Sequence, residues 1–199
     1  INIATDEFLA GLREFCDEKD LLLIFDEIQC GLGRTGKMFA YQNYNVEPDI
    51  MTLAKSLAGG LPLGALIAKG KVASVFKPGD HASTFGGNPV ACAAALAFTK
   101  ILQDDGIIDE CRKKGEYFHD KLVTLKTKYP DFIKDIRVIG LMVGLEVEKK
   151  GPEIVSKMIN EGILINCTAE NVLRFLPPLI VEKQEIDYLV NALDKVFQE

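Results

Sequence analysis

A single lysine, Lys55, lies among apolar and small residues in the segment Thr52–Pro62. Lysine is rarely enclosed by such residues without a role, because its charge is costly to bury. An enclosed amine is a better nucleophile and can form a Schiff base with a carbonyl compound. The glycines Gly59 and Gly60 that follow let the backbone approach a ligand closely. The alternative is a lysine whose stem packs on an amphipathic segment while its ammonium reaches solvent, and the segment alone favours neither.

A second candidate residue is Asp26, which directly follows the apolar run Leu21–Phe25. Such a run is typical of a strand that is buried on both faces of a parallel sheet. Open α/β sheets bind ligands at the carboxyl ends of their strands, which is where Asp26 is expected. There its carboxylate could hold a heterocyclic nitrogen of a cofactor in the protonated form. Taken by itself, an aspartate in this position is more often a helix cap or half of an ion pair.

Two hydroxyl residues, Ser83 and Thr84, stand in a glycine-containing loop just before a strong helix start at Asn88 and Pro89. Hydroxyl groups and backbone donors at the amino terminus of a helix suit an anion. A capped loop that holds no ligand is the common alternative. The loop is therefore a candidate anion site.

Arg174 is the one charged residue of an apolar strand that runs into Pro177 and Pro178. An arginine in such a setting needs a partner, and its planar guanidinium takes a carboxylate through two parallel hydrogen bonds. A substrate carboxylate would serve. So would an aspartate or glutamate of the protein in an ordinary structural ion pair.

A glycine cluster, Gly31, Gly33 and Gly36, matches the dinucleotide fingerprint G-x-G-x-x-G. The match fails in context, because the fingerprint opens a long helix and Pro48 would soon interrupt one. The similar phosphate-binding loop needs Ser or Thr after its lysine, where this chain has Met38. A turn-rich loop is expected here, and a nicotinamide-dependent dehydrogenase is disfavoured.

Periodicity and capping residues predict the elements that must position these side chains. Helices are expected over Asp6–Glu18, Pro89–Leu102, Ile107–Lys128, Pro152–Asn160 and Lys183–Phe197. Strands are expected over Leu21–Phe25, Asp49–Leu53, Leu63–Ala68, Gly162–Asn166 and Val172–Phe175, with a strand pair inside Val138–Val147. The change in character near residue 104 predicts an α/β part over 1–104 and a smaller α+β part over 105–199.

The overall composition excludes several classes of function. The 199 residues carry a formal net charge of -6 without a dense basic stripe, which argues against nucleic-acid binding. Five cysteines without a C-x-x-C pair, and only two histidines, argue against a disulfide framework and against a metal site. No apolar run is long enough to span a membrane. A cytoplasmic protein with reduced thiols is the expectation.

The candidate residues stand in four motifs whose order resembles that of the class-III aminotransferases along essentially the whole chain. The motifs are Asp26-Glu27-Ile28-Gln29 with the glycine cluster, Ala54-Lys55 with Gly59-Gly60, Ser83-Thr84 with the following Phe-Gly-Gly-Asn-Pro, and Arg174 before the two prolines. The resemblance implies the carboxy-terminal half of a fold-type-I aminotransferase large domain, with a mostly parallel sheet, followed by a smaller α+β domain. It also implies the cofactor pyridoxal 5'-phosphate.

The resemblance assigns a role to each candidate on the cofactor. Asp26 would pair with the pyridine nitrogen, and Gln29 would lie by the phenolic oxygen of the ring. Lys55 would bind the cofactor as a Schiff base and, once released, would move the proton between substrate and cofactor. Thr84 would reach the phosphate of the cofactor in the neighbouring subunit of a homodimer.

The remaining candidates would bind substrate, with Ser83 near it and Arg174 on its carboxylate. Within the class, the segments Phe76–Gly87 and Gly140–Glu146 are most similar to enzymes that use N-acetylornithine as amino donor and 2-oxoglutarate as acceptor in arginine biosynthesis. Ornithine, succinylornithine and succinyl-diaminopimelate remain open as donors. Members of the class carry a long amino-terminal part that is absent here, so we expect this chain alone to be inactive or to serve only as a folding or dimerisation module.

Overall fold

A computed structural model describes residues 1–148 and 150–198 of the chain. The backbone forms two compact units, Ala4–Ile108 and Asp109–Glu199, and the second also includes Ile1–Ile3. Each unit is built around a sheet of its own. Among the described residues, no helix combines the length and the apolar character that a membrane crossing requires.

The first unit begins with α1, Asp6–Glu18, in which Thr5 caps the first turn by accepting a hydrogen bond from the Phe8 amide at 3.2 Å. The elements that follow are β1 (Ile24–Asp26), a 3₁₀ helix (Ala40–Asn43), β2 (Ile50–Leu53), a second 3₁₀ helix (Lys55–Ala58), β3 (Ala65–Ala68), α2 (Gly70–Ala73) and α3 (Pro89–Asp104). The helices expected over Asp6–Glu18 and from Pro89 onward are confirmed.

The sheet of this unit has the order β1-β2-β3, with β1 parallel to β2 and β3 antiparallel to β2. Its small core joins α1 to β1 through Leu9, Cys16, Leu23 and Val46. The expectation that Leu21–Phe25 is a strand buried on both faces is wrong, since the strand begins at Ile24 and that side chain is 56% exposed. The reason is that β1 pairs with β2 alone and α1 packs against one of its faces.

The second unit contains α4 (Ile107–Lys128), β4 (Ile133–Ile139), β5 (Met142–Val147), α5 (Gly151–Asn160), β6 (Asn166–Thr168), β7 (Val172–Phe175) and α6 (Lys183–Phe197). Its sheet is antiparallel throughout, in the order β4-β5-β7-β6. The core consists of side chains with at most 1% exposure, among them Phe118, Leu122, Ile133, Leu145, Leu173, Ile186 and Leu193.

Two strand predictions in this unit need correction. The hairpin around Gly140 is longer than expected, because β4 begins at Ile133 in a stretch where Lys134, Asp135 and Arg137 hide the alternation. The strand expected over Gly162–Asn166 instead occupies Asn166–Thr168, where it pairs with β7. An apolar run becomes a strand only where a neighbouring strand pairs with it, and the sequence does not show where that pairing starts.

Candidate active site

The site is built on the carboxyl ends of β1 and β2, which lie side by side and parallel. In their register Asp26 is opposite Thr52, and Lys55 follows three residues after Thr52. The two strands therefore deliver a carboxylate and an amine to the same edge of the sheet, where α/β sheets bind ligands. Cys30 lies near both groups. Burial and the Glu27 carboxylate raise the pKa of its thiol most, the Asp26 carboxylate adds to the rise, and the Lys55 side chain opposes it.

The Asp26 carboxylate is exposed and is held through one of its oxygens. Oδ1 accepts a hydrogen bond from the Ile28 amide at 3.0 Å, and the Thr52 hydroxyl lies 3.5 Å from the same oxygen. Asp26 thus stabilises its own turn rather than the start of a helix. This arrangement leaves Oδ2 as the oxygen that can accept a hydrogen bond from a ligand.

Lys55 is exposed rather than enclosed by the apolar residues around it. Its φ of 52° lies in the left-handed region, as it does at six other described non-glycine residues, and this conformation costs a side-chain-bearing residue about 1–2 kcal/mol. Strained backbone of this kind is enriched at functional sites. Gly59 and Gly60 also have positive φ, and no atom lies within 4 Å of where their Cβ would be. Open space for a ligand therefore adjoins Lys55.

Glu27, next to Asp26, is a residue of the site that the sequence did not reveal. Its side chain is 2% exposed, and its carboxylate accepts hydrogen bonds from the amides of Ala40 at 2.6 Å and Tyr41 at 2.8 Å. Burial raises the pKa of Glu27, and these two hydrogen bonds oppose the rise. Glu27 ties the first 3₁₀ helix to the end of β1 and so closes the loop that carries Gln29.

One glycine of the cluster, Gly31, packs against this buried residue. A Cβ on Gly31 would lie 2.9 Å from both the carbonyl oxygen and Oε2 of Glu27. Residues 28–35 form turns, and no α-helix begins in the described residues between 31 and 49. The cluster is therefore the turn-rich loop that was expected, and a dinucleotide fingerprint is not formed.

An apolar cavity of about 210 Å³ adjoins the same edge of the sheet and is lined by residues that include Ile24, Phe25, Tyr41 and Tyr44. Cys30 also lines it, and burial together with the nearby Glu27 carboxylate raises the pKa of the thiol to about 11. The thiol is therefore protonated at neutral pH. Cys30 is a packing residue rather than a nucleophile.

Ser83 and Thr84 lie in an exposed loop before α3. The Ser83 Oγ accepts a hydrogen bond from the Gly86 amide at 3.0 Å. Asn88 caps α3, because its Oδ1 accepts hydrogen bonds from Val90 at 3.0 Å and Ala91 at 3.2 Å. Asn88 therefore already uses those donors of the helix terminus, and an anion at this loop would depend on the two hydroxyl groups.

Arg174 lies on β7, opposite Gly144 of β5. It is half-buried, and among the described residues its Nε is buried without a hydrogen-bond partner. Arg137 lies in the same row of the sheet, and its Nε is likewise buried without a hydrogen bond, but its guanidinium forms ion pairs with Asp135 and Glu146. Arg174, by contrast, forms no ion pair within the described part of the chain, so its charge is not matched there by a carboxylate. Arg174 therefore retains capacity for a carboxylate.

Comparisons with known proteins identify the family of this chain. The chain matches the family model "Aminotransferase class-III" over residues 1–197, and it belongs to this family. It is 54% identical over 199 residues to the acetylornithine aminotransferase of Methanocaldococcus jannaschii, covering all of this chain and 50% of that protein. It is also 54% identical over 200 residues to the acetylornithine aminotransferase of Caldanaerobacter subterraneus, again covering 100% of this chain and 50% of that protein.

Solved structures give the same assignment of fold. The ornithine aminotransferase of Toxoplasma gondii has a TM-score of 0.92 at 38% identity and covers 100% of this chain and 48% of its own. The acetylornithine aminotransferase of Elizabethkingia anophelis has a TM-score of 0.88 at 33% identity, covering 97% of this chain and 49% of its own. The chain thus has the fold-type-I aminotransferase fold, and it spans about half the length of the curated relatives it matches.

Class-III aminotransferases use pyridoxal 5'-phosphate, and the residues at the strand ends fit that cofactor chemically. The donor set contains an amine that can form a Schiff base, Lys55, and a carboxylate that can hold a pyridinium, Asp26. Open space lies beside Gly59 and Gly60. Both requirements of the cofactor are therefore present in one unit of this chain.

Proposed function

We propose that this chain is the carboxy-terminal half of a pyridoxal-phosphate-dependent transaminase that moves the δ-amino group of N-acetylornithine to 2-oxoglutarate, a step of arginine biosynthesis. The observation that carries the proposal is the parallel register of β1 and β2, which brings Asp26 and Lys55 to one edge of the sheet. The names of the relatives at 54% identity support the choice of amino donor.

Each candidate residue has a definite task in this proposal. Bound pyridoxal phosphate withdraws electrons from the carbon that carries the amino group, and that is the chemistry the cofactor supplies. Asp26 accepts the hydrogen bond of the protonated ring nitrogen, and Gln29 lies by the phenolic oxygen. Lys55 binds the cofactor covalently and, when released, moves the proton between the substrate carbon and the cofactor.

Substrate and phosphate contacts complete the proposed site. Arg174 binds the carboxylate of the amino donor and of 2-oxoglutarate, and the lack of an ion pair to it among the described residues supports this role. Ser83 lies near the substrate, and Thr84 binds the phosphate held by the neighbouring subunit. In this proposal the enzyme is a cytoplasmic homodimer with shared active sites. Residues 1–104 complete the cofactor-binding large domain, and residues 105–199 form the small domain.

The isolated chain is inactive in this proposal, because it spans about half the length of its relatives. The test compares this chain with the full-length polypeptide in an assay of glutamate formation from 2-oxoglutarate. We expect activity from the full-length polypeptide alone. Equal turnover by the isolated chain would refute the prediction that this chain alone is inactive. A full-length protein that turns over no amino donor would refute the proposed transaminase activity.

A second candidate donor is ornithine, which the likeness to the Toxoplasma gondii ornithine aminotransferase favours. The decisive quantity is kcat/KM for N-acetylornithine, N-succinylornithine and ornithine, measured with the same full-length preparation. We expect N-acetylornithine to exceed ornithine by about tenfold or more, since a site that pairs with the acyl amide leaves polar groups unpaired when the acyl group is absent. A higher kcat/KM for ornithine would make ornithine the preferred amino donor, and the proposed class of reaction would stay the same.

A further inference from the structure

We propose that Thr52 is a positioning residue that holds the Asp26 carboxylate in the orientation in which it meets the ring nitrogen of the cofactor. The inference rests on the proposed function and adds a residue to it. Thr52 lies directly opposite Asp26 in the parallel pair of β1 and β2. Its hydroxyl oxygen is 3.5 Å from Oδ1 of Asp26.

The strand register accounts for this contact. Residues that are paired across neighbouring strands direct their side chains to the same face of the sheet. Thr52 is also fixed in place by the backbone, because its carbonyl oxygen accepts a hydrogen bond from the Glu27 amide at 3.0 Å. The ladder thus continues one residue beyond β1, and it holds the hydroxyl group beside Asp26.

Both groups that contact Asp26 do so at the same oxygen. The Ile28 amide donates to Oδ1 at 3.0 Å, and the Thr52 hydroxyl approaches Oδ1 from the neighbouring strand. The terminal torsion of an aspartate is otherwise broad and roughly twofold, so one donor alone leaves the carboxylate able to rotate. A second donor on Oδ1, from the neighbouring strand, would restrict this rotation and leave Oδ2 for the ring nitrogen.

The separation of 3.5 Å is long for a hydrogen bond between oxygens, which usually measures 2.5–3.0 Å. Hydrogen bonds of a catalytic site commonly shorten when the ligand binds. A protonated ring nitrogen would draw Oδ2 outward and fix the carboxylate plane, which allows the hydroxyl group to close on Oδ1. The alternative is that Thr52 is present only because a β-branched residue suits a strand.

The experiment uses the full-length polypeptide with two substitutions that separate these roles. Thr52→Val retains the β-branched shape and removes the hydroxyl group, whereas Thr52→Ser retains the hydroxyl group. For each variant, Kd is measured for pyridoxal phosphate and for its analogue in which a CH unit replaces the ring nitrogen. The analogue has no ring nitrogen for Asp26 to bind. The difference between the two changes in Kd therefore reports the contact between the carboxylate and the ring nitrogen.

We expect Thr52→Val to raise Kd for pyridoxal phosphate by about tenfold, the effect of one hydrogen bond to a charged group. Its Kd for the analogue should change by less than about twofold, and Thr52→Ser should stay within about twofold of the original for both compounds. The kcat of Thr52→Val should fall with KM for the amino donor unchanged, because the substitution acts on the cofactor. The thermal midpoint of the apoprotein should be the same in all three proteins.

Equal losses for the two cofactor compounds would overturn the inference, since they would indicate a merely structural role. An unchanged Kd in Thr52→Val would also overturn it. If Thr52→Val does not fold, Thr52→Ala gives the same comparison between the compounds. Failure of the unsubstituted protein to bind pyridoxal phosphate would instead overturn the proposed function, so the two failures are distinguishable.

Discussion

The charged residues of the two sheets differ in their exposure and in their ion pairing. At the carboxyl ends of the mixed sheet, Asp26 and Lys55 are exposed, and Lys55 has a left-handed backbone. In the antiparallel sheet, Arg137 is engaged with Asp135 and Glu146, above a core that solvent does not reach. In the proposed function, the exposed groups of the mixed sheet serve chemistry, whereas the ion-paired groups of the antiparallel sheet serve stability and its unpaired Arg174 binds substrate.

The same contrast recurs within each region between residues of the same type. Glu27 is buried with two amide donors, whereas its neighbour Asp26 faces outward. Arg137 has two acidic partners, whereas Arg174, two strands away in the same row, forms no ion pair in the described part of the chain. In each pair the first residue is structural and the second is available to a ligand.

The largest effect is expected at Lys55 itself. Lys55→Ala in the full-length polypeptide should lower kcat/KM by about a thousandfold or more, because no other group would form the Schiff base or move the proton. Lys69→Ala is the matched control, since Lys69 is an exposed lysine of the same unit that pairs with Glu47 at 2.9 Å. Steady-state kinetics at saturating cofactor measures kcat/KM for both variants. Retention of full activity by Lys55→Ala would refute the assignment.

Glu27 should give the largest effect on folding. Glu27→Ala removes a buried carboxylate and leaves the partly buried amides of Ala40 and Tyr41 without acceptors, so the free energy of unfolding should fall by about 3 kcal/mol. Urea unfolding measures the change, and Glu14→Ala on the exposed face of α1 should change it by less than about 0.5 kcal/mol. Equal stability of the two variants would show that Glu27 does not hold the loop.

A pair of helix glycines tests whether the second unit is the tightly packed one. A Cβ on Gly115 of α4 would overlap the backbone of Gly140, so Gly115→Ala should destabilise the protein by about 2–3 kcal/mol. Gly11 of α1 has nothing within 4 Å of its Cβ position, so Gly11→Ala should stabilise by about 0.5–1 kcal/mol. Thermal unfolding of both variants measures these changes. Shifts of the same sign would contradict the contrast between the two units.

The smallest effect concerns Asp49, which tethers α1 to the chain before β1. The Leu23 amide, which donates at 2.8 Å, and the Arg13 guanidinium, at 2.9 Å, lower the pKa of Asp49. Its stabilisation is therefore present above the ordinary pKa of 3.8 and is lost as the pH falls through the lowered value. Asp49→Asn should cost about 1 kcal/mol at neutral pH and should flatten the loss of stability below about pH 4. Urea unfolding at several pH values measures this free energy. If the loss of stability at low pH were the same in Asp49→Asn as in the unsubstituted protein, Asp49 would not hold α1 in place.

The helices were predictable because their signals are local. Thr5 and Asn88 cap the helices that the sequence predicted, and the bounds of α1, α4 and α6 are confirmed. Strand bounds were less predictable, because a strand exists where a partner pairs with it. The run that includes Leu164 is apolar but lies outside β6, and that side chain is 86% exposed.

The candidate residues could be chosen from the sequence, but their local geometry could not. The types and order of Asp26 and Lys55 pointed to one edge of a sheet, and the register confirms that placement. Glu27 was missed, because its partners are backbone amides 13 and 14 residues further along and leave no trace in residue types. The left-handed backbone of Lys55 was also unpredictable, since lysine has no preference for that conformation.

The most direct test of the account is chemical trapping at Lys55. The full-length polypeptide is incubated with pyridoxal phosphate and reduced with borohydride, and the modified peptides are then identified by mass. The account predicts one stoichiometric adduct, on Lys55, and its loss in the Lys55→Ala variant. Adducts spread over exposed lysines such as Lys69 and Lys77, without enrichment at Lys55, would contradict the central claim.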